Sequence, residues 1–160
     1  MSPAESPPRG WVFLDVDGTL RHFPDAEDRE TVLAAKARPG LQAFMERLHE
    51  LGVGIVVWSA GGEEWANDAV DVLGIRRWVS GVHEKEREVQ SAYPGPQFFI
   101  DDWPEWLDGV IESHHPRCIV ESWRQDSPDA ELDCELDRAA REVAAWLDRT
   151  ASPPSAERAE

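Results

Sequence analysis

The chain has 160 residues, 41% of them hydrophobic and 30% charged, with a formal net charge of −16. That length suits one domain with a sizeable core, and the composition is that of a folded rather than a disordered chain. An excess of 32 acidic over 16 basic residues sets the average field against duplex nucleic acid, and no apolar stretch approaches the ~20 residues of a membrane-spanning helix.

The two cysteines, Cys118 and Cys134, lack any zinc-type spacing, and His114 and His115 near Cys118 match no metal pattern either. The first ten residues are Ser/Pro-rich without the apolar segment of a secretory signal. The expected setting is the cytoplasm, with reduced thiols and no membrane association. Residues 1–9 read as a flexible lead, 10–150 as the folded domain and 151–160 as a polar tail.

Taken in chain order, residues 11–16 are a strand candidate. Residues 41–51 place Leu41, Phe44, Met45, Leu48 and Leu51 on one helical face, with Pro39-Gly40 as a start signal and Gly52 as a stop. Residues 53–58 form a continuous apolar run, expected of a strand buried on both faces. Residues 63–73 read as a helix with Trp65, Ala66, Ala69, Val70 and Leu73 inward. A short strand is expected at 78–82, a short helix at 84–91, a strand at 97–100 and a short helix at 104–111. A fifth strand is expected at 117–121, and a long amphipathic helix carrying Leu132, Leu136, Ala140, Val143, Ala144 and Leu147 at 129–149. This alternation predicts an α/β fold, a central mainly parallel sheet covered by helices on both faces. Ligands of such sheets bind beyond the C-terminal ends of the strands.

The residues ending the apolar runs therefore matter most. The first run ends in Asp15-Val16-Asp17-Gly18-Thr19-Leu20. Carboxylates at i and i+2 of a strand point to one side and repel each other unless a cation or proton intervenes; hard oxygen ligands suit Mg2+. The D-G step is also a common turn dipeptide, but a turn alone leaves unexplained a charge at Asp15 within an otherwise apolar run. The second run ends in Ser59-Ala60-Gly61-Gly62, which can hold a phosphate oxygen through a hydroxyl and loop N–H groups, or simply cap the following helix. The fourth ends in Asp101-Asp102, which can complete a metal site or cap the helix at Pro104. Lys85 is one of only two lysines, the other being Lys36. It can offset carboxylate and phosphate charge, or sit exposed among Glu84, Glu86 and Glu88.

This order of residues resembles the haloacid dehalogenase-like hydrolase superfamily. The motif D-x-D-G-T is present as Asp15-Val16-Asp17-Gly18-Thr19. An apolar strand ending in Ser59 follows, then Lys85, then a strand ending in Asp101-Asp102; the Arg38-Pro39-Gly40 step before a helix is also typical. The resemblance spans residues 10–150 and implies a Rossmann-like three-layer sandwich and aspartyl-phosphate chemistry. It implies Asp15 as nucleophile, Asp17 as general acid and base, and Ser59 and Lys85 as phosphoryl-binding groups. It implies Mg2+ held by the Asp15 carboxylate, the Asp17 backbone carbonyl and Asp101, with Asp102 as a further candidate ligand. Gly18, Thr19, Ala60, Gly61 and Trp103 are the accompanying substrate-binding candidates.

About forty residues separate Asp17 from Ser59, and 26 positions separate Ser59 from Lys85. Neither gap holds a substantial cap domain; residues 18–37 suffice only for a short flap. The expected enzyme is thus a small capless phosphatase with an open site, for a phosphorylated small molecule or the phosphorylated end of a macromolecule. An open, Trp-rich mouth is compatible with a homodimer. Trp65 and Trp106 are expected to pack into the core on their helix faces. The alternative is a non-hydrolytic phosphate-binding or regulatory module on the same fold, although such a module has no need of Asp17. A response-regulator receiver is disfavoured by order, because there the lysine follows all the acids.

Overall fold

A computed structural model describes residues 6–24 and 28–151. Five strands, β1 (Trp11–Leu14), β2 (Gly54–Ser59), β3 (Gly81–Glu84), β4 (Gln97–Asp101) and β5 (Arg117–Ile119), alternate with α1 (Arg29–Leu33), α2 (Leu41–Glu50), α3 (Glu63–Val72), α4 (Pro104–Asp108) and α5 (Glu135–Ala151). All strand pairs are parallel, in the order β3-β2-β1-β4-β5. The chain moves outward from β1 on one side, then returns to its other side with β4. The C-terminal ends of β1 and β4 therefore flank a topological switch point, where α/β sheets open a crevice.

Alternation along the strands separates two layers. Val12, Leu14, Ile55, Val57, Phe98 and Ile100 join the buried faces of α2, α3 and α5 in one core. The helical period delivers Leu41, Phe44, Met45 and Leu48 from α2, and Leu136, Ala139, Ala140, Val143, Trp146 and Leu147 from α5. On the opposite face Phe13, Val56, Trp58 and Phe99 pack with Leu107 and Ile111. There, among the described residues, the connecting elements are α4 and a 3-10 turn at Arg87–Ala92. Large rings do the filling, with Phe13 centred 4.9 Å from both Trp58 and Phe99. The sandwich and the parallel sheet are as the sequence predicts.

Several expected boundaries move. The strand expected at 78–82 lies at Gly81–Glu84, with Trp78 in a 3-10 turn, Arg76–Trp78, against which Arg77 stacks. The helix expected at 84–91 is the 3-10 turn after Glu86, and α4 stops at Asp108. The long helix expected from 129 is broken. Ala130–Leu132 is a separate 3-10 turn and α5 begins only at Glu135, so Leu132, expected on the apolar face, is 79% exposed. The break releases Asp133 to accept from Arg38 Nε (2.7 Å) and Nη2 (2.9 Å) and from the Glu135 N–H (3.3 Å).

Arg9 is tied to the domain by hydrogen bonds to the Gly52 and Leu51 carbonyls. Most of the proposed lead (1–5) and tail (152–160) lies outside the described residues. Within the short stretch between β1 and α2, α1 is capped by the Asp28 carboxylate, and Arg21 bridges both Asp17 and Ala37. Among the described residues no helix is long and apolar enough to cross a membrane.

Candidate active site

Sheet pairing brings the acids together. The Asp15 N–H donates to the Ile100 carbonyl at 3.1 Å, so the β1–β4 ladder continues up to Asp15. Asp101 closes β4 and Asp102 follows it. Asp15, Asp101 and Asp102 each offer a carboxylate oxygen, and these oxygens all lie within 4.8 Å of one another. Asp15 and Asp101 are buried and Asp102 half-buried.

Lys85 reaches the same point from the other side of β1. It follows β3 directly, and its N–H donates to the Ser59 carbonyl at 2.9 Å. Its buried ammonium donates to Asp15 Oδ1 at 2.7 Å and to Asp101 Oδ2 at 2.8 Å. The surface alternative, pairing with Glu84, Glu86 or Glu88, is not the arrangement observed. Burial pulls the Lys85 amine down, but the Asp15 and Asp101 charges outweigh it and hold the ammonium above its usual range.

Among these protein groups alone, burial pushes the Asp15 carboxyl up to about 7; the Asp102 charge adds to the rise and Lys85 opposes it. Burial raises Asp101 and Asp102 as well, and the Asp15 charge adds to the rise at Asp101. Three carboxylates face one ammonium, so the cluster is short of positive charge. An all-oxygen donor set of this compactness fits a hard divalent cation. Mg2+ is such an ion, with Asp15, Asp101 and Asp102 as the side chains that would hold it.

The support behind the acids is specific. The fully buried Thr19 hydroxyl donates to Asp15 Oδ2 at 2.9 Å and lies 3.4 Å from Asp102 Oδ1. Gly18 has φ +81°, and a Cβ there would collide with Asp102 Oδ2. Gly18 and Thr19 thus back the carboxylates, whereas Ala60 and Gly61 border the open pocket with Ser59. Ser59 Oγ accepts from the Gly61 N–H at 3.1 Å. The Trp103 N–H donates to Asp101 Oδ1 at 2.9 Å, so Asp101 also restrains the start of α4.

Asp17 lines the pocket apart from the cluster of three. Its Oδ1 accepts from Arg21 Nε at 2.7 Å and its Oδ2 from Trp65 Nε1 at 2.6 Å. Trp65 is therefore not simply a core residue; it lies at the first turn of α3, where its indole N–H can reach across to the β1 loop. Trp106 departs from expectation too. Only Leu107 of the five-residue α4 is buried, and Trp106, one position earlier on the helix, turns outward.

Sequence reasoning missed Arg21 and the part played by Arg38. Buried Arg38 donates to the carbonyls of Gly18 (3.1 Å), Thr19 (3.4 Å) and Glu121 (2.7 Å) and to Asp133, so it anchors the loop that carries the acids. A hint was present in each case, an arginine four residues after Asp17 and one before Pro39-Gly40. Their partners, however, lie up to 95 residues away.

The sequence profile of the family described as NLI interacting factor-like phosphatase matches residues 11–92. The match includes Asp15, Asp17, Ser59 and Lys85 and ends before Asp101 and Asp102. No curated protein matches the sequence. An uncharacterized protein from Listeria monocytogenes serotype 4b superposes with a TM-score of 0.60 at 13% identity, covering 88% of this chain and 99% of that chain. A second crystal structure gives a TM-score of 0.53 at 13% identity, covering 90% of this chain and 84% of its own. At these identities the likeness is one of fold.

Proposed function

From the premise that the chain belongs to the NLI interacting factor-like phosphatase family, a family of haloacid dehalogenase-like phosphatases, we propose that it is a Mg2+-dependent phosphomonoesterase that works through a phosphoaspartate on Asp15. The observation that carries the reading is the convergence of Asp15, Asp101, Asp102 and Lys85 on one point beside the Ser59 hydroxyl.

When bound, Mg2+ supplies the positive charge that lets a phosphate dianion approach the carboxylates. Lys85 and Ser59 hold phosphoryl oxygens and orient phosphorus toward Asp15. An Asp15 oxygen attacks phosphorus, the P–O bond to the leaving group breaks, and the leaving oxygen takes a proton from Asp17. Asp17 then takes a proton from water, whose oxygen attacks the same phosphorus. The acyl phosphate bond breaks and Asp15 is regenerated with release of inorganic phosphate. Arg21 and Trp65 orient the Asp17 carboxyl group and must loosen their hold, at least in part, for each proton transfer.

The site admits a phosphorylated small molecule or the phosphorylated end of a macromolecule, while the net charge of −16 disfavours duplex nucleic acid. A cytoplasmic setting and a homodimer that narrows the open mouth belong to the same proposal.

The test is phosphate release from p-nitrophenyl phosphate with and without Mg2+. Mg2+-dependent turnover in the wild type is expected, with a loss of about 10^3-fold or more in Asp15→Asn. Mg2+-dependent binding of a phosphate analogue without turnover on any phosphomonoester would make the protein the non-hydrolytic module instead.

A further inference from the structure

The pocket beyond the carboxylates has a volume of about 190 Å3, and its outer wall is aromatic: Phe23 from the loop after β1, and Trp103 and Trp106 at the start of α4. Trp103 is 50% exposed and Trp106 47%. Their ring centroids are 5.9 Å apart with the planes at 49°. The rings stand on fixed backbone. The Trp103 N–H is bonded to Asp101, and the Trp103 and Trp106 carbonyls accept from Leu107 and Gly109. Two half-exposed indoles at the mouth of a charged pocket leave apolar area that an incoming ring would cover.

Pockets for drug-sized molecules run to roughly 300–1,000 Å3, so this one encloses a phosphate and one ring at most, and anything larger extends past the open mouth. The acidic surface disfavours a leaving group that brings more negative charge, and an uncharged ring brings none. Finally, both Asp17 oxygens are engaged by Arg21 and Trp65. A phenol, with a pKa of about 10, leaves with less need of a delivered proton than an alcohol does.

Building on the phosphatase reading, we infer that the site is specific for aryl phosphomonoesters, the chemistry shared by small phenyl phosphates and phosphotyrosine side chains. The phosphoryl group passes to Asp15, the aryl C–O bond stays intact, and the product phenol leaves along the Trp103–Trp106 wall carrying the proton from Asp17.

Calorimetric titration of the full chain in Mg2+ with benzylphosphonate and ethylphosphonate tests the ring contact without turnover. Wild type is expected to bind benzylphosphonate about tenfold more tightly. The double variant Trp103→Ala/Trp106→Ala should bring that ratio close to one. Phe at both positions should restore most of it, and Leu132→Ala, on an exposed residue outside this pocket, should leave it intact. Equal affinities in wild type, or a preference that survives the double Ala variant, would overturn the inference. Phosphate release from phenyl phosphate and glycerol phosphate separates the two readings. Release from both with equal phosphonate affinities overturns the aryl site and keeps the phosphatase. A benzyl preference lost in the double Ala variant, with release from neither of these nor from a phosphotyrosyl peptide, keeps the ring site and overturns the phosphatase. Comparing kcat/KM for phenyl phosphate and a phosphotyrosyl peptide then assigns the aryl group to a small molecule or to a protein.

Discussion

Asp15 shares a buried corner with two other carboxylates and one ammonium, and the burial of its charge has a measurable consequence. A carboxyl that ionises near 7 in the fold and near 3.8 when unfolded destabilises the folded state from about pH 4 upward, and fully so above about 7. Asp15→Asn removes the charge and leaves Lys85 its Asp101 partner. The variant is expected to melt at a higher temperature than wild type at pH 8 without added Mg2+, and the gain should shrink as pH falls toward 4. Added Mg2+ should raise wild type more than the variant. Thermal melts across pH read all three trends, and a gain that grew toward acid would contradict the cost assigned to burying the Asp15 charge.

Between strand and helix, the loop 15–21 must turn away from the sheet while keeping its carboxylates aimed at the crevice. Gly18 makes that turn with φ +81° and lies against Asp102 and Ser122, where any Cβ collides. Gly18→Ala is expected to cost about 1–3 kcal/mol in chemical denaturation and to weaken Mg2+ binding, because the methyl group displaces the Asp102 carboxylate. The same scale explains the misplaced boundaries. Hydrophobic period alone extends the last helix back to residue 129, but Asp133 is drawn out of it by the buried guanidinium of Arg38. The period likewise places Trp106 inward, yet the five-residue α4 has only enough inner face for Leu107.

For the whole molecule, the order β3-β2-β1-β4-β5 puts the strand ends bearing Lys85, Ser59, Asp15 and Asp101 side by side, and α5 returns from beyond β5 to close the core. Glu135 secures that return. It accepts from Arg138 Nε (2.8 Å) and Nη2 (2.7 Å) and from the Glu121 N–H (2.9 Å). Arg138, aided by the backbone N–H, depresses the Glu135 carboxyl to about 2. A depressed acid stabilises the fold above its unfolded value near 4.5, and the contribution is lost as pH falls through about 2. Glu135→Gln should therefore lower stability by about 1 kcal/mol or less at pH 7, the group being partly solvated. The difference from wild type should close between about pH 4.5 and 2 in acid denaturation curves.

Much of the architecture was legible along the chain because its signals are local. Apolar runs of strand length, helical stripes between them, and acids interrupting or ending those runs all lie within a few residues of one another. They sufficed for the parallel sheet, the covering helices and the candidacy of Asp15, Asp17, Ser59, Asp101 and Asp102. Tertiary structure decided what depends on meeting across the sheet. Lys85 bridges Asp15 and Asp101 rather than pairing with its glutamate neighbours. Asp17 is held by Arg21 and Trp65, and Thr19 backs the acids. Strand order and burial determine which distant groups share a low-dielectric space, and charges there choose partners by proximity and desolvation rather than by sequence separation.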